Sequence, residues 1–308
     1  MRSVLRIMVV AGLCLATVFG APGATRAGQA EAAGVGLSVI TSNTVLADFV
    51  AQVGGDQVRV RSLVPRGTDP HTFQPTPDSM KLLTQARVIF FNGAGLEAWW
   101  TKTLRNVKTP GIPVIELAQG LATLTLPGEG HGQAAAPDPH LWLDPILAKT
   151  YVERIRDAPT AVDSGNTASY AAHAAAYAGQ LDTLDAWVRA EVARIPASRR
   201  KLVTFHDAFQ YFAKRYGLTV KGYVVTSPGK EPSAQAMADL VRRIKQEQIP
   251  AVFAEADYNP KLLEVLGREA GVTVVTDLYD DSLSDRPPAD SYIHLMRHDV
   301  TTIVSALK

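Results

Sequence analysis

The chain has 308 residues, 46% of them hydrophobic, and its 31 Lys and Arg against 30 Asp and Glu leave a formal charge of +1. Such a balance excludes a nucleic-acid partner held by phosphate neutralisation, which needs a basic excess. The one cysteine, Cys14, excludes an internal disulfide, and if it is lost with a leader, any transition metal must be held by His and carboxylates.

The first elements read as an export signal. Arg2 and Arg6 form a basic start, Ile7 to Phe19 is almost wholly apolar, and small residues at Thr25 and Ala27, or Gly28 and Ala30, offer a cleavage site. The apolar run is shorter than the roughly 20 residues a membrane-spanning helix needs. Residues 1–30 are therefore expected to be removed on export to the periplasm. Leu13 stands before Cys14 where a lipoprotein signal wants a small residue, so no lipid anchor is expected. Cutting after Ala27 also removes Arg26, so 31 − 3 = 28 basic residues face 30 acidic ones, a mature charge of −2.

From Leu37 onward short β-rich runs alternate with amphipathic stretches, the pattern of βαβ units and a mostly parallel sheet. Strands are predicted over Leu37–Thr41, Val58–Val64 and Val88–Phe91, and helices over Thr44–Val53, Pro77–Gln85 and Leu96–Leu104. This makes one α/β lobe, residues 31–162. The cap-rich Asp163-Ser164-Gly165-Asn166 opens an Ala-rich segment that Pro196 stops. Along it Tyr170, Ala174, Tyr177, Leu181, Leu184, Val188, Val192 and Ile195 recur at steps of three and four, so one apolar stripe runs the length of a single helix. At 1.5 Å per residue that helix, within residues 163–196, reaches roughly 45 Å and can join two lobes stiffly. In a second lobe, 197–308, strands are predicted at Lys201–Thr204, Val252–Ala254 and Val272–Val275, with helices at Asp207–Tyr216, Pro232–Gln248 and Tyr292–Leu307. The expected fold class is α/β, two lobes each with a mostly parallel sheet flanked by helices, joined by one long rigid helix.

Seven histidines occur. His71 and His140 each follow an Asp-Pro pair, in Asp69-Pro70-His71 and Asp138-Pro139-His140, and further prolines stiffen both loops. Proline fixes φ and restricts its predecessor, so such loops hold a side chain in place without a ligand's help. Singly, each is an ordinary loop histidine; the repeated tripeptide points to a built site. His206 sits at the end of a predicted strand reaching Leu202 to Phe205, where α/β sheets present ligand-binding groups, though it also fits a helix-capping neighbour of Asp207. Asp281 falls in the loop after another strand, where a merely solvated carboxylate is the common case.

Taken in order, Asp69 to Pro77, Asp138 to Pro145, Thr204 to Phe212 and Tyr279 to Leu283 resemble the motifs of the zinc and manganese substrate-binding proteins of ABC importers, the ZnuA/TroA-like cluster A-I family. The resemblance covers essentially the whole mature chain. It implies metal ligands His71 and His140 from the first lobe, and His206 and Asp281 from the second. It also implies a membrane permease as partner, with a metallochaperone a further candidate, and a monomeric protein that is not an enzyme. Three neutral imidazoles and one carboxylate can close a tetrahedron around Zn2+, leaving no open position for a reacting water. In the family, His in the place of His206 resembles the zinc branch and Glu the manganese branch, so Zn2+ is the expected cargo and Mn2+ the alternative.

Asp69, Asp138, Asp207 and Glu255 are candidates to support the ligand rings from behind. His131 resembles a stunted form of the His-rich loop of some zinc-binding relatives. His173, His294 and His298 read as surface residues, and Arg199-Arg200-Lys201 as a solvated turn. A secreted zinc hydrolase is the rival reading, but neither His-Glu-x-x-His nor Gly-x-Ser-x-Gly occurs. An adhesin-like surface role would want the lipid anchor that the leader does not supply.

Overall fold

A computed structural model describes residues 36–106, 111–126 and 135–308. The expected leader, Cys14 and His131 lie outside them. Among the described residues no helix is long and apolar enough to cross a membrane.

The first lobe is built from β1 (Leu37–Thr41), α1 (Thr44–Gly54), β2 (Val58–Ser62), α2 (Pro77–Leu83), β3 (Val88–Phe91), α3 (Trp100–Asn106) and β4 (Val114–Glu116). A small antiparallel pair, β5 (Thr125–Leu126) and β6 (Ala136–Pro137), leads to α4 (Pro145–Thr160) and then to the long α5 (Thr167–Ala193). The second lobe comprises β7 (Lys201–His206), α6 (Gln210–Tyr216), β8 (Thr219–Val225), α7 (Ala234–Gln246), β9 (Ala251–Glu255), α8 (Lys261–Ala270), β10 (Thr273–Leu278) and α9 (Tyr292–Leu307).

Both main sheets are wholly parallel, with orders β2-β1-β3-β4 and β10-β9-β7-β8. Read from its other edge, the second order is β8-β7-β9-β10, so the lobes repeat one topology. In each, strand order reverses beside the first strand, the kind of switch point at which α/β sheets open a crevice beyond the carboxyl ends of their strands.

Side-chain alternation places each sheet between two cores. Val39, Val88 and Phe90 face one large core while Ile40 and Ile89 face a smaller one with Leu63, Leu83 and Trp99. In the second lobe Leu202, Ala251 and Phe253 join that same large core, whereas Val203, Val252 and Ala254 pack on Leu240, Ile244 and Leu266. The lobes thus share a continuous apolar interior. Its middle is α5, whose 27 residues extend about 40 Å. All eight residues of the predicted stripe, from Tyr170 to Ile195, are buried. The closing helix α9 packs on both α5 and α1, with the Tyr292 and Phe49 rings 4.8 Å apart, so the end of the chain ties back to the first lobe.

Three helices start later than predicted. The segment before α3 is a turn in which Gly93, Ala94 and Gly95 all take positive φ, and Leu96 and Trp100 donate to Gly93 and Glu97 carbonyls. α6 begins at Gln210 because Ala208 N–H is taken by the His206 carbonyl. α7 starts after Ser233, which caps it by accepting from Ala236 N–H and leaves Pro232 outside. No helix is predicted over α4, yet Asp144 caps it and Tyr151, Val152 and Ile155 are buried. β4, β8 and α8 likewise have no predicted counterpart.

Two surface assignments need correction. His173 is half-buried, with Nδ1 3.1 Å from the carbonyl of Val53 near the end of α1. Arg200 caps the C-terminal end of α5, donating to the carbonyls of Ile195 at 3.0 Å and Ala193 at 3.2 Å.

Candidate metal centre

Local chemistry fixes each side chain before any ligand arrives. The Asp69 carboxylate accepts the backbone N–H of His71 at 2.8 Å, a local turn that proline and aspartate favour. Asp138 does the same for His140 at 3.0 Å and also receives the ring Nδ1–H at 2.7 Å. With Nδ1 committed to Asp138, the lone pair of His140 is at Nε2, facing the crevice. His206 is the last residue of β7, beside the strand-order reversal of the second sheet. Asp281 lies just beyond β10, its backbone N–H donating to Asp280 at 2.7 Å.

From these separate elements the fold brings His71, His140, His206 and Asp281 to one point. His140 Nε2 stands 3.2 Å from His71 Nε2 and 3.3 Å from His206 Nε2. The Asp281 carboxylate stands 3.2 Å from His71, 3.5 Å from His140 and 3.5 Å from His206. A tetrahedral ion with bonds of about 2.0–2.1 Å sets its donors about 3.3–3.4 Å apart. The observed spacings bracket that edge. Unprotonated imidazole nitrogens this close repel unless a proton or a cation lies among them. The His71 side chain retains 10% exposure while the other three have 0 or 1%, so solvent reaches the centre on the His71 side.

Electrostatics divide the group. Burial pushes His206 well below the usual imidazole range, and its neighbours His140 and His71 add to this against the pull of Asp281. Burial also lowers His140, but Asp281 and then Asp138 outweigh it and hold the ring above its usual value. Burial raises Asp281, yet the charges of His71 and His140 bring it below the ordinary carboxylate range.

Of the four residues named as supports, Asp138 bonds a ligand ring directly, whereas Asp69 accepts the backbone N–H groups of His71 and Thr72 and does not touch the His71 ring. Asp207 instead accepts from Gln210 at 2.6 Å. Glu255 comes within 3.7 Å of His206 Nδ1, and Asp280, which the sequence reading passed over, within 3.5 Å. His206, Glu255 and Asp280 form a second wholly buried donor group, and His206 Nδ1, Asp280 Oδ2 and both Glu255 oxygens have no hydrogen-bond partner among the described residues. Burial drives Glu255 up to about 8 and Asp280 well above its ordinary value. Carboxyl groups so placed are suited to receive the Nδ1 proton of His206 once its Nε2 is occupied. Tyr258 was also missed: its hydroxyl lies within 3.2 Å of Asp281 and 3.3 Å of Asp69, and its ring packs edge-on to His206. Nothing in a lone Tyr-Asn-Pro loop signals that role. His294 and His298 stay apart from the centre, paired with Asp290 and Asp277.

The family model for the periplasmic zinc-uptake complex component A, ZnuA, matches residues 39–306. The chain belongs to the ZnuA family. Members of this family are the metal-binding components of ABC importers rather than enzymes. Among curated relatives, the manganese-binding lipoprotein MntA of Halalkalibacterium halodurans is 30% identical over 96% of both chains. The manganese ABC transporter substrate-binding lipoprotein PsaA of Streptococcus pneumoniae is 28% identical, covering 98% of this chain and 99% of the relative. Among solved structures, the periplasmic zinc-binding protein TroA of Treponema pallidum superposes with a TM-score of 0.81 at 30% identity, covering 88% of this chain and 99% of that one. A Mn-bound periplasmic metal-binding protein of Candidatus Liberibacter asiaticus gives 0.78 at 26% identity, covering 88% and 100%. The two-lobed α/β fold with its long linking helix is that of this ZnuA group, whose relatives carry both zinc and manganese names.

Proposed function

We propose that this protein captures one divalent ion, Zn2+ by preference, at His71, His140, His206 and Asp281 and delivers it to the membrane permease of an ABC importer. The observation that carries the reading is the convergence of the four groups, with His140 Nε2 3.2 and 3.3 Å from the other two Nε2 atoms and the Asp281 carboxylate 3.2–3.5 Å from all three. Imidazole favours zinc over manganese, and a filled four-donor shell serves carriage rather than catalysis. Residues 31–162 and 197–308 would act as the two lobes, with 163–196 as the spine between them, and the protein works as a monomer with or without a chaperone to load it.

Manganese is the second reading. Both Asp281 oxygens face imidazoles, Oδ2 toward His71 and Oδ1 toward His140, so a bidentate carboxylate can raise the coordination number beyond four. Several of the relatives are named for manganese. Metal analysis of the protein isolated from its own periplasm without added metal decides between them: zinc at about one per chain supports the first reading, and manganese in its place overturns it.

We further propose that the leader is cleaved and the mature protein is released into the periplasm. Relatives named as lipoproteins favour acylation at Cys14 instead. Mass spectrometry of the mature N-terminus separates the two, since a lipid-bearing Cys14 would refute release.

A further inference from the structure

The two Asp-Pro-His loops are far apart in the chain, yet one short segment holds both by the same atom. Trp99 Nε1–H donates to the carbonyl of Pro70 at 2.8 Å, and Asn92 Nδ2–H donates to the carbonyl of Pro139 at 3.0 Å. Each carbonyl belongs to the residue immediately before a candidate ligand. Proline has no N–H, so this carbonyl is its sole backbone hydrogen-bonding group. Its φ is already fixed by the ring, and the following N–H is already fixed by Asp69 or Asp138. The carbonyl and that N–H lie in one peptide plane, so the second hydrogen bond ties a plane already set by its local turn to the body of the first lobe, and with it the Cα of His71 or His140.

Asn92 and Trp99 bound the connection from β3 to α3, and that connection is itself anchored. Buried Glu97 accepts the N–H groups of Asn92 at 2.9 Å and Gly93 at 3.0 Å and the hydroxyl of Ser42. The Tyr151 hydroxyl donates to Asn92 Oδ1 at 2.7 Å, which leaves the amide Nδ2 directed at Pro139. Gly93 follows a positive φ that suits glycine, and a Cβ there would collide with the Glu116 carboxylate. Trp99 is locked by ring contacts with Phe73 and Trp100 at 5.2 and 5.5 Å.

We propose that the β3–α3 connection is a single buckle that sets the separation of His71 and His140, with Trp99 and Asn92 as positioning residues that touch no metal. The proposal rests on the reading of His71 and His140 as ligands. Without the buckle each loop keeps its local turn but drifts as a unit, and the centre loses the 3.2 Å spacing between the two Nε2 atoms.

The test uses the full mature chain with Zn2+ alone, titrated against a chromophoric chelator, with release followed by stopped flow. Trp99→Phe keeps the ring packing and removes the N–H. It is expected to weaken Zn2+ binding about tenfold, the scale of outer supports of a metal site, chiefly through faster release. Because Trp99 acts through His71, adding Trp99→Phe to His71→Ala should cost no more than His71→Ala alone. Tyr151→Phe, which frees the Asn92 amide, should show the same non-additivity with His140→Ala, and it stands in for Asn92→Ala should that variant fail to fold. Full loss of binding in His71→Ala with Trp99→Phe unchanged, or an additive loss in the double variant, overturns the buckle and leaves the ligand reading intact. Unchanged affinity in both His71→Ala and His140→Ala overturns the ligand reading, and the buckle with it.

Discussion

Tyr258 places its hydroxyl 3.2 Å from the Asp281 carboxylate, and the same oxygen lies 3.3 Å from Asp69 in the opposite lobe. One hydroxyl proton cannot serve two carboxylates at once. The hydroxyl links a candidate ligand of the second lobe to the loop that carries His71 in the first.

Tyr258→Phe removes that tie and keeps the ring against His206. Metal release should become several-fold faster, and the thermal midpoint of the metal-free protein should fall only slightly, as for one hydrogen bond worth about 1 kcal/mol. Stopped-flow release and calorimetry measure both. An unchanged release rate would show that the hydroxyl contributes nothing to retention.

Alanine at His71, His140 or His206 should each weaken Zn2+ binding by about an order of magnitude or more, since each removes one of four donors. Alanine at Asp281 should cost less if water takes the place of its oxygen. Competition titration of the four variants against a common chelator gives the ranking, and affinity unchanged from the parent protein in all four would sink the assignment.

Acidity should act in opposite directions on the empty and loaded protein. Burial raises Glu255 to about 8, Asp257 to about 7 and Asp207 to about 6. Their protons stabilise the folded chain relative to an unfolded chain that has released them, and this contribution is lost as pH rises through those values. His140, also raised, has the same sign. His206 is lowered and opposes them only below about pH 6.5, where the unfolded ring takes up a proton. Between about pH 6.5 and 8 the metal-free thermal midpoint should therefore fall as pH rises. Over the same interval Zn2+ affinity should grow, because protons compete with the metal for the imidazole nitrogens. Scanning calorimetry with and without Zn2+ at both limits checks the pair, and parallel trends would contradict it.

Leu181→Ala, in the middle of the buried face of α5, should cost about 2–5 kcal/mol. Because the large core runs through both lobes, unfolding should remain one transition, seen alike by fluorescence and circular dichroism. Two separated transitions would mean that the lobes fold independently of the spine.

The sequence alone was enough for the repeated Asp-Pro-His loops, the strand ending in His206 and the stripe of α5, because each is a local pattern: fixed φ, period two, period three to four. It was also enough for α9, whose predicted bounds are those observed. Where α3, α6 and α7 begin was decided by hydrogen bonds to turns and caps that spacing does not encode. Strand order, and with it the meeting of His71 and His140 with His206 and Asp281, was decided by packing of both sheets on one shared core. Asp280, Tyr258, Trp99 and Asn92 are unremarkable in the chain and gain their places near the centre only when burial removes water and leaves a neighbouring polar atom as the remaining partner.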